Sequence, residues 1–250
     1  TFETAPYVAG NLDLGVVSGT GGLTLGQSIG LGTGTLRLTT TGAITQPGGS
    51  VTATLLGASA GTSITLTQAG NDVNVVATQS AAGGITLRDS DDLVIGAAPA
   101  VAGLHPALTG LSAPRQSVSV TTGGPLTQTQ PIVADSLTAT TLNNAGAAIT
   151  LTDPGNAVTT ITLQARNAAN TADAAGAIAY RDSDGVDVAG VRTTSTFDLT
   201  TNGPITSSGA LIVGGPTTLT AGAANNITLN NANDFNTVSV VSGNNVVVND

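Results

Sequence analysis

Short segments of this chain alternate apolar and polar residues from one end to the other. In Ile64-Thr65-Leu66 and Ile227-Thr228-Leu229, every second residue is apolar and a threonine lies between. Because successive side chains of a strand point to opposite faces, this period predicts strands with one buried face. Clusters of Gly, Asn, Asp and Pro, such as Pro47-Gly48-Gly49, separate the segments and predict corners. We therefore expect an all-β chain of many short strands.

Three markers recur along the chain in the same order. The first marker occurs three times, as Leu38-Thr39-Thr40, Val120-Thr121-Thr122 and Leu199-Thr200-Thr201. The second also occurs three times, as Ile64-Thr65-Leu66, Ile149-Thr150-Leu151 and Ile227-Thr228-Leu229. The third occurs twice, as Arg88-Asp89-Ser90-Asp91 and Arg181-Asp182-Ser183-Asp184. The recurrence predicts three modules of roughly eighty residues, approximately 36–117, 118–196 and 197–250, within one domain spanning 1–250.

The ordered recurrence distinguishes between two all-β architectures. An antiparallel sandwich gives no reason for an ordered module to return, whereas a solenoid stacks each coil on its neighbour, so that similar residues recur. We predict a single parallel β-helix. With roughly 20 residues per coil and ~4.8 Å between coils, it would be elongated and contain about twelve coils.

Two stretches interrupt the strand rhythm. The first, 97–115, contains Pro99, Pro106 and Pro114, and the second, 167–176, is rich in Ala and Asn. We predict that both are loops projecting from the coil. Loops on a rigid scaffold are frequent binding sites, although a tolerated insertion without function explains them equally well.

Composition narrows the class of protein. Apolar residues make up 40% of the chain, which argues against disorder, and the net charge of −9 argues against nucleic-acid partners. No apolar run reaches the ~20 residues of a membrane-spanning helix. The absence of Cys excludes disulfides, and the scarcity of aromatic residues predicts a core of Val, Leu, Ile and Ala.

Several segments resemble the rungs of filamentous-haemagglutinin-like exoproteins, the large β-helical adhesins of two-partner secretion. The segments are Gly42-Ala43-Ile44-Thr45-Gln46, 233–240 and 243–250, and the similarity extends from Leu12 to Asp250. The resemblance implies a right-handed β-helix, an extracellular location on a bacterial cell surface, and a role in adhesion, aggregation or biofilm formation. That family's secretion domain carries an Asn-Pro signature, and this chain has no Asn-Pro dipeptide. We therefore expect an internal shaft segment.

Carboxylates are the main candidates for chemistry. They form two related clusters: Asp89, Asp91 and Asp92, and Asp182, Asp184 and Asp187. A carbohydrate-active β-helix enzyme would use paired carboxylates as acid and base, and Ca²⁺ sites are built from several such oxygens. Since the cluster occurs twice, a structural corner is the favoured interpretation, with Arg88 and Arg181 pairing with neighbouring carboxylates. We expect no catalytic residue and no cofactor, with weak Ca²⁺ binding as the alternative.

Two further features have an ordinary explanation. His105, the only histidine, is expected to be a loop residue, because no serine is marked as its nucleophilic partner. Thr-x-Thr pairs such as Thr65/Thr67 are typical of ice-binding solenoids, but their irregular spacing predicts no single flat ladder.

The expected function is therefore structural and adhesive rather than enzymatic. The expected partners are glycans or proteins of host or neighbouring cells, or other copies of the chain. A carbohydrate-active enzyme and a protein that forms a surface layer or fibre are the alternatives.

Overall fold

The structure, a computed structural model, describes residues 7–8, 13–19 and 21–250. These residues form β-strands and turns, and they include no α-helix. Residues 1–6, 9–12 and 20, which include the first residues of the predicted domain and of the resemblance at Leu12, lie outside the described residues. The chain divides into two compact units: unit 1 comprises 1–122 and 129–134, and unit 2 comprises 123–128 and 135–250.

Unit 1 contains short strands joined by tight corners. They are β1 (Tyr7–Val8), β2 (Leu14–Ser18), β3 (Leu23–Thr24), β4 (Ile29–Gly30), β5 (Thr35–Thr40), β6 (Ile44–Thr45), β7 (Val51–Ala60), β8 (Ile64–Leu66), β9 (Asp72–Ser80), β10 (Ile85–Arg88), β11 (Leu93–Ile95), β12 (Ala97–Ala98), β13 (Leu108–Thr109) and β14 (Leu111–Thr122).

Unit 2 is built in the same way. Its strands are β15 (Leu126–Gln128), β17 (Ile149–Leu151), β18 (Ala157–Arg166), β19 (Ile178–Arg181), β20 (Val186–Thr193), β21 (Phe197–Thr200), β22 (Ile205–Ser207), β23 (Leu211–Thr220), β24 (Ile227–Leu229), β25 (Asp234–Ser242) and β26 (Val246–Val248). Strand β16 (Ile132–Leu142) contributes residues to both units.

Parallel pairing between strands one coil apart builds each unit. In unit 1, Ile44 pairs with Ile64 and Ile64 with Ile85, while in unit 2, Ile205 pairs with Ile227. Like residues therefore stack on like, and the prediction of an all-β parallel β-solenoid is confirmed. The described residues wind through about eleven turns rather than twelve, because two coils are lengthened by the interruptions. The right-handed sense stays a prediction.

Inward-facing side chains fill the core of each unit. Ile44, Ile64 and Ile85 are fully buried, as the alternating pattern predicts. The expectation that Val, Leu, Ile and Ala alone supply the core was wrong, since Tyr180 and Phe197 are the largest fully buried side chains. Tyr180 takes the inward position that Leu151 and Leu199 occupy in the neighbouring coils, and Phe197 takes that of Ile178 and Thr217. The position rather than the residue type therefore determines burial.

The repeated threonine marker has a physical cause. Its second threonine, which is Thr40, Thr122 or Thr201, is buried in every copy. The Thr201 hydroxyl donates a hydrogen bond to the carbonyl oxygen of Gly203 at 2.6 Å, and the Thr40 hydroxyl donates to a carbonyl oxygen in the preceding coil. The first bond gives the Gly203 carbonyl oxygen a partner at the corner. The carbonyl oxygen that Thr40 reaches is that of Gly21, which also accepts the backbone N–H of Gly42 at 3.2 Å.

The first interruption folds back onto the outside of the coil. Strands β12 and β13 form an antiparallel hairpin in which Ala97 pairs with Thr109, and residues from Leu111 onwards return to the coil as β14. Ala98 and Leu108 of the hairpin pack against Ala77 on strand β9. Gly57 also leaves room for the hairpin, because a Cβ atom there would lie 2.9 Å from that of Ala98.

An ion-pair network holds the second interruption. Asp173 accepts hydrogen bonds from Arg192 Nε at 3.0 Å and Nη2 at 3.2 Å, and it also pairs with Arg166. Arg166 lies at the end of β18 and Arg192 on β20, so one carboxylate ties residues 167–173 to two successive coils of unit 2.

Candidate functional site

A buried amide pair forms the corner beneath the first Asp cluster. Gln46 Nε2 donates to Asn71 Oδ1 at 2.7 Å, and Asn71 Nδ2 donates to Gln46 Oε1 at 2.9 Å. The same Asn71 oxygen accepts the backbone N–H of Val51 at 2.9 Å, and its nitrogen also donates to the carbonyl oxygen of Arg88 at 3.2 Å. Asn71 thus joins successive coils through one side chain.

Asp89 completes this corner and is itself buried. Its carboxylate accepts the backbone N–H groups of Val73 at 2.9 Å and Asp91 at 3.3 Å. Burial raises the pKa of Asp89 to about 7, although the two backbone bonds oppose this shift. The carboxyl group therefore holds one backbone N–H near the start of β9 and one in the turn that follows Asp89. This is the corner role favoured by the sequence.

Unit 2 contains an equivalent corner. Gln128 and Asn156 form the same reciprocal amide pair, at 2.8 and 3.0 Å, and Asn156 Nδ2 donates to the carbonyl oxygen of Arg181 at 2.9 Å. Asp182 accepts the backbone N–H of Val158 at 3.1 Å. The corner in unit 2 thus matches that in unit 1 residue for residue.

Tyr180 adds a third donor to the Asp182 carboxyl group, after the backbone N–H groups of Val158 and, at 3.1 Å, Asp184. Its hydroxyl donates to Asp182 Oδ2 at 2.8 Å. Burial raises the pKa of Asp182 to about 6, and the nearby Asp184 adds to this effect, while the tyrosine bond opposes it. Burial also raises the pKa of Tyr180, so the hydroxyl stays a donor to the carboxyl group.

Sequence reasoning missed a third copy of this corner. Asn233 Oδ1 accepts the backbone N–H of Leu211 at 3.0 Å, and Asp250 Oδ1 accepts that of Phe235 at 2.9 Å. The signal is an Asn two residues before an inward apolar residue, followed by an Asp just after the second strand further along. Asp89 directly follows β10, whereas Asp250 lies two residues after the end of β26. The signal was hidden because Asn249-Asp250 replaces the Arg-Asp pair of the other copies.

The remaining carboxylates of the two clusters form no common site. Asp91 lies beside Asp89 and Asp184 beside Asp182, and each raises the pKa of its buried neighbour. Asp91, Asp92 and Asp184 are exposed, while Asp187 accepts hydrogen bonds from Thr206 at 3.0 Å and from Ser208. The described residues contain no group of three or more His, Cys, Asp or Glu side chains arranged to hold a metal ion.

The predicted pairing of Arg88 and Arg181 with neighbouring carboxylates was wrong. Within residues 7–8, 13–19 and 21–250, the ion pairs are those of Asp173 with Arg166 and Arg192. Arg181 Nε is buried and has no hydrogen-bond partner. The backbone carbonyl groups of Arg88 and Arg181, rather than their guanidinium groups, take part in the corners.

His105 is buried rather than an open loop residue. Its backbone pairs with Val101 at the tip of the hairpin, and its side chain is only 7% exposed. The ring lies over Gly15, where a Cβ atom would stand 2.5 Å from Nε2, and Nδ1 is 2.9 Å from Thr39 Oγ1. Burial, together with the charge of Arg37, lowers the pKa of the imidazole.

The hairpin and the coil enclose a cleft in unit 1. Asp13, Arg37, Val17 and Leu104 line it, and His105 forms its inner wall. Arg37 Nε donates to the carbonyl oxygen of Pro99 at 3.3 Å, which holds the guanidinium group beside the hairpin. The cavity volume is about 360 Å³, towards the lower end of the range of small-molecule sites.

Outward-facing threonines form one column in unit 1. Thr24 pairs with Thr45, Thr45 with Thr65, and Thr65 with Thr86, and Ser119 continues the column. The column forms although the threonines are unevenly spaced in the sequence, because corners of different length absorb the irregularity. The Thr-x-Thr pattern itself is not repeated in every coil, since Pro47 and Arg88 take the place of Thr67 in the coils on either side.

The comparisons with known proteins identify a family but no function. The pattern of the repeats of unknown function (DUF5649) matches residues 9–80, 82–165 and 175–242. No curated protein and no solved structure matched the chain. Among the described residues, no helix has the length and apolar character needed to cross a membrane. Since the matched stretches cover most of the sequence, the chain belongs to the family of repeats of unknown function (DUF5649).

Proposed function

We propose that this chain is a structural and adhesive segment of a secreted bacterial cell-surface protein, of the filamentous-haemagglutinin-like, two-partner-secretion type. Its work would be adhesion, aggregation or biofilm formation. The observation that supports the proposal is the folding of both interruptions onto a scaffold of parallel coils. A rigid scaffold that presents short segments on its outer surface suits attachment better than turnover.

The chemistry of the corners supports a scaffold over a glycan-cleaving enzyme. Asp89 and Asp182 are buried, and each accepts backbone N–H groups. A catalytic acid and base must instead reach a substrate, with their carboxyl groups separated by a distance that fits a sugar between them. The carboxylates best placed for catalysis by sequence are therefore engaged in holding coils together.

The surface of the chain suits two kinds of partner. Its net charge of −9 favours neutral or cationic partners, which include uncharged surface glycans and basic proteins.

Labelling of intact cells tests the location. Antibodies raised against the purified chain should label unpermeabilised source cells. Labelling that requires permeabilisation would contradict the proposal. The proposal would also be contradicted if the chain released reducing sugars from a polysaccharide and this activity were lost in the Asp89→Asn and Asp182→Asn variants.

Bead adhesion tests the attachment. Beads coated with the chain should bind to surfaces bearing glycans or matrix proteins, or to one another. A matched variant replaces residues 98–108 with a short Asn-Gly turn, which can close the gap because Ala97 and Thr109 are paired neighbours. Loss of binding in this variant would assign the contact to the hairpin. Beads that neither bind nor clump would contradict an adhesive role.

A further inference from the structure

The cleft beside the hairpin collects the exposed apolar surface of unit 1. Among the described residues of that unit, the large hydrophobic side chains that remain exposed are Val17 (51%) and Leu104 (59%). Both line the same cleft. Because isolated exposed apolar residues are ordinary but convergent ones mark interaction sites, this coincidence indicates an apolar ligand group.

Opposite charges flank this apolar surface. Arg37 and Asp13 line the cleft, and no ion pair in the described part of unit 1 includes either of them. Asp13 is fixed by the backbone N–H of Thr35, which donates to Oδ1 at 2.7 Å, and Arg37 is fixed through Nε. Two anchored charges of opposite sign that form no ion pair with one another suit a ligand that carries both charges itself.

His105 makes the cleft a built feature rather than a gap under a mobile loop. Its ring is held by the Thr39 hydroxyl on one side and rests on Gly15 on the other. Ala98 and Leu108 anchor the base of the same hairpin against Ala77. The wall that carries Leu104 is therefore attached to the coil at both its tip and its base, so the cleft is pre-formed.

We propose that this cleft binds a small zwitterion with a branched apolar body, the class to which the aliphatic amino acids belong. The ligand's carboxylate lies at Arg37, its ammonium group at Asp13, and its apolar body between Val17 and Leu104. This site is independent of the proposed adhesive function, since it needs neither export nor a cell surface.

Ligand-observed and protein-observed NMR with three probes tests the site. The probes are L-leucine, 4-methylpentanoate, which lacks the ammonium group, and 3-methylbutylamine, which lacks the carboxylate. Leucine should bind about tenfold more tightly than either analogue, because each charge-assisted contact is worth roughly that factor. The resonances of His105, the only histidine, report whether binding occurs beside the hairpin.

Variants separate the two charges. In Arg37→Gln, leucine should no longer bind more tightly than 3-methylbutylamine, because the residue that contacts its carboxylate is lost. In Asp13→Asn, leucine should no longer bind more tightly than 4-methylpentanoate. The two comparisons together form a double-mutant cycle. Leu104→Ser changes only an exposed side chain, so it should weaken all three probes without affecting folding, even if Arg37→Gln loosens the hairpin. Arg115→Gln, at an exposed arginine outside the cleft, should change nothing.

Several results would overturn the proposal. They are no leucine binding to the wild-type chain at tens of millimolar, equal affinity for the three probes, or unchanged binding to Leu104→Ser. None of these results bears on adhesion, so failure of the site and failure of the proposed function remain distinguishable.

Discussion

Replacement of Asn71 with alanine should destabilise unit 1 far more than its small loss of volume suggests. The side chain is 3% exposed and makes hydrogen bonds with the backbone N–H of Val51, with the amide of Gln46 and with the carbonyl oxygen of Arg88. Each buried polar group left without a partner costs about 1–3 kcal/mol. Water entering the corner replaces some of these bonds, so we expect a loss of about 3–4 kcal/mol in the free energy of unfolding.

Asn74→Ala is the matched control. Asn74 lies three residues further along, on strand β9, and faces solvent, so its replacement should change the free energy of unfolding by less than about 0.5 kcal/mol. Urea unfolding followed by circular dichroism gives both values. Since the stability of a solenoid is largely a sum of neighbouring coils, amide hydrogen exchange at Val51 should accelerate in Asn71→Ala before distant coils respond. Equal unfolding midpoints for the two variants would refute the reasoning about the corner.

Three further predictions concern single groups. Thr217→Val should stabilise unit 2 by about 1 kcal/mol in thermal unfolding, because the buried Thr217 hydroxyl has no hydrogen-bond partner, whereas Thr218→Val on the outward side should be neutral. Gly15→Ala should displace the His105 ring and raise its lowered pKa towards the ordinary value, as measured by NMR titration. Gly19→Ala is the control, because a Cβ atom there meets nothing within 4 Å, and it should leave the pKa of His105 unchanged. Burial raises the pKa of Asp89 to about 7, far above that of an unfolded aspartate. Between these two pKa values the folded state retains a proton that the unfolded state releases. The free energy of unfolding should therefore fall as the pH rises from about 4 to 7. A urea midpoint that rises over this range would contradict the last prediction.

The sequence predicted the coils because their cause is local and repeated. Inward residues such as Ile64 and Ile227 must alternate with polar ones, and stacking then selects similar residues one coil later. The corner role of Asp89 and Asp182 was predictable for the same reason, since it recurs with its neighbours. The amide pairs that Asn71 and Asn156 form were missed because each asparagine lies a whole coil away from the glutamine that it bonds.

The hairpin could not be placed from the sequence. Its packing depends on two small outward-facing residues, Gly57 and Ala77. In the alternating sequence pattern these two residues look like any other surface position. The burial of His105 depends equally on Gly15, which is distant from it in the chain. Contacts of this kind occur once and produce no repeated sequence pattern. The cleft could therefore be identified only from the structure.

The direction and stacking of the coils can be measured directly with pairs of nitroxide spin labels, since the chain has no native Cys. Labels at Thr45 and Thr65, which are paired in adjacent parallel strands, should lie about 5 Å apart at the backbone and show strong dipolar broadening. Labels at Thr24 and Thr86, three coils apart in the same column, should lie about 14 Å apart and broaden weakly. Weak broadening for the first pair, or equal broadening for both, would contradict parallel winding.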